Sequence, residues 1–144
     1  RITGVCAPNS RTVTKKQIYE IADKQIGPKL HRQILDALRE NESVAGFSVQ
    51  GPFATSYILG YVISSYDING IDGEEACDRV IKNICQGVLP QKLFTSVQKN
   101  LELKKMSEEL GQDSFASAWE KGGQIGMADA KNQTPRGLYE YLIS

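Results

Sequence analysis

The sequence predicts an all-α protein, a single compact, non-repetitive bundle of about six or seven short helices. Three observations carry that prediction. Apolar residues recur at spacings of three and four through most of the chain. Thr, Asp, Pro and Gly stand where such runs begin and end. No stretch alternates apolar with polar residues long enough to specify a sheet. The 144 residues, 40% hydrophobic and 24% charged, are the length and balance of one folded domain. We divide them into an N-terminal arm, 1–11, and one helical domain, 12–144.

The arm holds Gly4, Pro8, Asn9 and Ser10 without a sustained pattern, so its order depends on being tied down. Thr14 with Gln17 three residues on reads as a capping box. Ile18, Ile21, Ala22 and Ile26 then recur at helical spacing until Gly27, giving a first helix over about 15–26. Pro28 suits the first turn of a second helix, whose stripe is Leu30, Ile34, Ala37 and Leu38. So short a connection predicts a sharp turn between the two. His31, beside Arg32 and Gln33, is expected on the polar side of that helix as an exposed spectator. The stretch 40–52, with Gly46, Gly51 and Pro52, is expected to be a loop anchored by Phe47 and Val49. A third helix over about 53–66 places Ser56, Gly60 and Ser64 four apart on one face, where small residues admit another backbone. With Tyr57, Ile58, Tyr61 and Val62 flanking them, this is the expected central helix.

From Asp67 to Glu75 the acids invite comparison with a calcium loop. Counting from Asp67, however, puts Ile71 fifth, Asp72 sixth and Asp78 twelfth, where an EF-hand needs an oxygen ligand, a glycine and a glutamate. No metal site is expected. Asp72, Glu74 and Glu75 instead suit the positive end of a helix over about 74–86, which buries Cys77, Val80, Ile81 and Ile84 and stops at Gly87. Pro90 opens a further helix with Leu93, Phe94, Val97 and Leu101 that continues toward Leu110 and Gly111. Asp113 or Ser114 caps another, with Phe115, Ala118 and Trp119, expected to end at Gly122 and Gly123. The segment 124–132 is at most a short helix with Ile125 and Met127 facing inward. Thr134 and Pro135 begin the last, with Leu138, Tyr139, Leu142 and Ile143.

Charge narrows the function. Seventeen Lys and Arg balance seventeen Asp and Glu, which leaves no net field to draw in a polyanion, so nucleic acid is not an expected partner. Arg11, Lys15 and Lys16, and later Lys99, Lys104 and Lys105, are diluted by carboxylates and read as solvated helix faces. No apolar run approaches the ~20 residues of a membrane span; the longest, around Tyr57 to Ile63, is broken by Gly60. Nucleophilic hydrolysis of the familiar kind needs a Ser or Cys, a His base and an acid. Only His31 is available, without a Gly-x-Ser-x-Gly turn. Gly122 and Gly123 lead into Gln124 and lack the Lys-Ser or Lys-Thr ending of a phosphate-cradling loop. No cofactor is expected.

Cys6, Cys77 and Cys85 lack the paired spacing of a zinc site. Cys77 and Cys85, on one helix, would stand ~12 Å apart at about 1.5 Å per residue, beyond disulfide reach. Cys6 is the candidate for a staple to either; the other reading makes the helical pair small buried hydrophobes. The chain opens on Arg1 instead of Met, as expected of a tag, a truncation or a removed leader. A leader would make the protein periplasmic or secreted; the cytoplasm is the alternative.

Two resemblances bear on function. Arg39, Glu40, Asn41, Glu42 and Ser43 set glutamates where a helix leads into a loop, which resembles lysozyme-like folds and lytic transglycosylases. That resemblance implies glycoside cleavage with Glu40 or Glu42 as the acid. Over about 55–101, Tyr57, Ile58, Leu59, Gly60, Tyr61 and Val62, then Cys85, Gly87, Val88, Leu89 and Pro90, then a helix with Leu93, Val97 and Leu101, resemble the small periplasmic immunity proteins that neutralise peptidoglycan amidases delivered by type VI secretion. This second resemblance implies a helical, disulfide-containing, non-enzymatic protein. Two of that family's cysteines have no counterpart here, and two helices are added in front. The expected function is a non-enzymatic helical protein-binding module outside the cytosol: an inhibitor, an immunity protein or a secretion-system or envelope assembly component. A lysozyme-like enzyme and an intracellular helical regulator are the alternatives. Tyr57, Tyr61, Tyr66 and Trp119 are the candidate anchors for a protein partner, against the commoner reading of helical aromatics as core.

Overall fold

The computed structural model describes residues 14–66, 73–85, 90–111 and 116–144. Residues 1–13 with Cys6, the expected turn 67–72, Gly87 and the expected cap Asp113 or Ser114 with Phe115 lie outside them, as does the side chain of Tyr66. The capping box forms: the Thr14 N–H donates to Gln17 Oε1 at 3.0 Å and the Gln17 N–H to Thr14 Oγ1 at 3.2 Å, opening α1 (Lys15–Ile21). The chain then does not turn at Gly27. A π-helical stretch, Ala22–Ile26, carries it straight into α2 (Gly27–Glu40), with Ile26 at φ −81°, ψ −46° and Gly27 buried inside the rod. The expected sharp turn is corrected for a physical reason. The Pro28 ring would meet the carbonyl four residues back, at Lys24, and the widened turn there relieves the clash without ending the helix.

The expected loop 40–52 is also corrected, because it holds a helix, α3 (Glu42–Ser48). Asn41 is extended, at φ −157°, and its side chain accepts from the Val44 N–H at 3.3 Å, which makes it an N-cap hidden between two glutamates. Of the two expected anchors Val49 is buried, whereas Phe47 is 83% exposed. Next come α4 (Pro52–Tyr66), α5 (Gly73–Cys85) and α6 (Pro90–Leu110), the last closed by Gly111 at φ +67°. The seventh α-helix, α7 (Ala116–Asp129), runs through Gly122 and Gly123, so those glycines do not stop it and 124–129 is helical. Ile125 packs against the core as expected, but Met127 is 46% exposed. The chain ends in α8 (Gly137–Ile143) with Leu138 and Leu142 buried. Because α1 and α2 form one rod, the described residues make seven helices and no strand, an all-α fold.

The core forms around α4, where Phe53 to Ile58, Tyr61 and Val62 are all buried. Leu30, Ile34 and Ala37 of α2 fill the space toward α5 and α8, and α5 packs on α6. Asn100 of α6 is a polar tie to the start of α4, its amide donating at 3.0 Å to both the Gln50 carbonyl and Thr55 Oγ1. The first rod is fastened to α5 by polar groups. Tyr19 donates its hydroxyl to Glu75, and Asp23 accepts from the Asn83 amide and, at 3.0 Å, from Arg79. The Asn83 hydrogen bond, reinforced by Arg79, holds the Asp23 carboxyl below the usual carboxylate range.

The closest packing is between α4 and α7, where glycine brings two backbones together. A Cβ on Gly60 would stand 2.6 Å from the Gly123 carbonyl oxygen. One on Gly122 would fall inside 3.0 Å of the Phe53 carbonyl, and one on Gly126 inside 3.0 Å of the Tyr57 carbonyl. The Cα hydrogens that replace those methyl groups therefore point at carbonyl oxygens, the geometry of weak Cα–H···O contacts. The Ser56 hydroxyl donates to the Trp119 carbonyl on the same seam. Ser56 and Gly60 thus do receive another backbone, and the small residues that match them are the glycines of α7.

Candidate functional site

A polar network buried inside the bundle is either structural or a place for chemistry. Gln33, 1% exposed, donates from Nε2 to the Tyr57 hydroxyl at 3.3 Å and accepts the Tyr139 N–H on Oε1 at 3.0 Å. Tyr57 passes its own proton toward Asp129 Oδ2 at 2.5 Å, and the same oxygen accepts the Gly137 N–H at 2.7 Å. The network therefore joins α2, α4, α7 and the start of α8. Every member is engaged within the protein, so it locks helices together.

Its electrostatics make a measurable prediction. Burial first, and then the hydrogen bond to Asp129, push the Tyr57 hydroxyl far above the ordinary tyrosine range. Burial, with the Asp129 charge behind it, pushes Tyr61 up to about 12. An unfolded chain releases these protons near pH ~10, and the folded one holds them. Their contribution to stability is complete below that pH and is lost as pH rises through about 12 at Tyr61, at up to ~1.4 kcal/mol per pH unit per tyrosine. Tyrosinate absorbance is expected to rise in two stages, the second coinciding with loss of helical dichroism. A single stage complete near pH ~10 in a still-folded protein would contradict this burial.

Tyr57 and Tyr61 are thus interior side chains, 0% and 1% exposed, stacked in series with Phe53 and Tyr141, and not surface anchors. Trp119 is half-buried against the core, with the Lys104 ammonium 5.7 Å from its ring centroid. Glu40 is exposed at the end of α2 and accepts a hydrogen bond from the Tyr139 hydroxyl; Glu42 is exposed in the first turn of α3. Cys77 and Cys85 are both buried, and burial pushes the Cys85 thiol up. His31 is half-buried, with Nε2 shielded from solvent and no hydrogen-bond partner, a correction to its expected place on the open polar side. Among the described residues no group of three or more His, Cys, Asp or Glu could hold a metal, and no helix is long and apolar enough to cross a membrane.

Sequence reasoning missed the outer half of α6. Its first half turns Leu93, Val97 and Leu101 into the core. Leu103, Met106 and Leu110 follow at spacings of three and four, but the new stripe begins two residues on from Leu101, roughly 200° around the helix. It therefore faces solvent, at 38%, 53% and 66% exposure. Glu102 and Glu109 are exposed, and their positions border this face along one side. That change of phase was the available signal. Among the described residues, fold and surface together describe an all-α protein with an apolar helical face turned outward. No family model, curated protein or solved structure matches the chain.

Proposed function

We propose that the chain is a non-enzymatic helical protein-binding module working outside the cytosol, as an inhibitor, an immunity protein or an envelope assembly component, and that it binds through the outer half of α6. The supporting observation is the exposed stripe Leu103, Met106 and Leu110, which no described helix covers. The fitting partner presents an apolar helix or strip flanked by Lys or Arg, complementary to Glu102 and Glu109. A second copy fits less well. Laid antiparallel it would set Glu102 near Glu109 of its mate, and three side chains offer far less than the ~800 Å² per partner of a stable interface.

The test passes native envelope extract over immobilised wild type, a Met106→Lys/Leu110→Lys variant and a Glu102→Lys/Glu109→Lys variant. These positions are exposed, so stability should stay within about 0.5 kcal/mol of wild type. One specific protein retained by wild type and lost from both variants supports the proposal. Equal retention by all three overturns it. So does retention of nothing alongside turnover of peptidoglycan or chitin that Glu40→Gln or Glu42→Gln abolishes, which would favour the glycosidase reading. A thiol count in denaturant without reductant addresses compartment separately: three free thiols favour the intracellular regulator, one favours an oxidising compartment.

A further inference from the structure

The start of α2 and the segment 133–136 line a partly open cavity of about 340 Å³. Its charged lining is wholly cationic: Lys29, Arg32 and Arg136. Gln133 and Thr134 add polar groups, and buried Gln33 supplies an amide wall. Arg136 is held in place. Its Nη1 lies 3.1 Å from Asp36 Oδ2, and its guanidinium stacks on the Tyr139 ring at 3.8 Å. Gln33 is fixed by its hydrogen bonds to Tyr57 and Tyr139, which occupy Oε1 and one of the two N–H groups of Nε2.

Charge decides what fits. Asp36 compensates Arg136, while Lys29 and Arg32 have no carboxylate within 4.0 Å among the described residues. Two positive charges are left facing one concavity, where they repel each other until an anion enters. A monoanion would neutralise one, and a dianion both. Arginine forks match phosphate oxygens in geometry. The volume sits at the small end of ligand clefts, roughly 300–1,000 Å³, too small for a polymer and larger than a lone phosphate needs.

We infer that this cavity binds a dianionic phosphate group, free or carried by a small organic monoester. The site is independent of the α6 face and stands or falls without it. Calorimetric titration with inorganic phosphate, glycerol phosphate and acetate tests it on wild type, Arg32→Gln and a Lys29→Gln/Arg32→Gln variant. Both positions are exposed, so the fold should survive. Phosphate should bind in roughly the millimolar range or tighter. Arg32→Gln should weaken it ~10-fold, and the double variant should remove it. Glycerol phosphate binding more tightly than inorganic phosphate assigns the remaining volume to an organic group; equal affinity assigns the site to free phosphate. No binding of either phosphate by wild type, acetate binding as tightly as phosphate, or unchanged binding in the double variant overturns the inference.

Discussion

Gly126→Ala is expected to lower stability by about 3 kcal/mol and the thermal midpoint by roughly 10 °C. The added methyl would fall inside 3.0 Å of the Tyr57 carbonyl oxygen, with the Tyr57 carbonyl carbon and the Tyr61 nitrogen each 3.0 Å away. All three are backbone atoms of a helix, so no side chain can swing aside and the helices themselves must part. Parting them opens the seam that Gly60 and Gly122 also close, with loss of packing along its length. The same substitution at Gly46, in α3, should act in the opposite direction. There the nearest atom is Leu38 Cδ2 at 3.8 Å, so alanine adds helix propensity of about 0.5–1 kcal/mol without strain. Calorimetric melting of the two variants decides the matter. If Gly126→Ala melts as high as Gly46→Ala, α4 and α7 do not cross at backbone contact.

Asp129→Ala should be comparably damaging, at about 3 kcal/mol, although Asp129 is only half-buried. One of its oxygens serves two donors, the Tyr57 hydroxyl at 2.5 Å and the Gly137 N–H at 2.7 Å. Removing it strands a hydroxyl on a residue that is 0% exposed and frees the N–H that starts α8. Asp129→Asn keeps an acceptor in place and loses only the charge assistance, so a loss of about 1 kcal/mol is expected. Tyr57→Phe removes one donor, and combining it with Asp129→Ala should give clearly less than the sum of the single effects. Urea unfolding of the four proteins closes that cycle. Strict additivity would mean that Tyr57 and Asp129 do not share a hydrogen bond.

Much of this architecture was legible in the chain, and the failures have a common origin. The bounds of α4, α5 and α6, the capping box at Thr14 and the apolar stripes of α2, α5 and α8 follow from spacing and caps. Gly27, Gly122 and Gly123 stand where the sequence predicts stops, because a glycine after an apolar run ends many helices. In the fold they are helical, and Gly122 and Gly123 instead mark where another helix presses close. Tyr57 and Tyr61 suit both a core and an interface, as aromatics at helical spacing do; the structure buries both, in line with the commoner reading and with the central place expected of their helix. The outward face of α6 was visible as a change of phase, and the cationic cavity was not visible at all. Its cations come from residues 29 and 32 and from 136, which no local pattern connects.

The amino-acid order by itself determined that this protein is helical and roughly where each helix runs, because caps, propensities and apolar spacing act over a few neighbouring residues. Tertiary structure alone decided the roles of glycine, tyrosine and aspartate. The groups that give them meaning lie 63 residues apart from Ser56 to Trp119 and 72 apart from Tyr57 to Asp129. Contacts of that range exist only once the helices have packed.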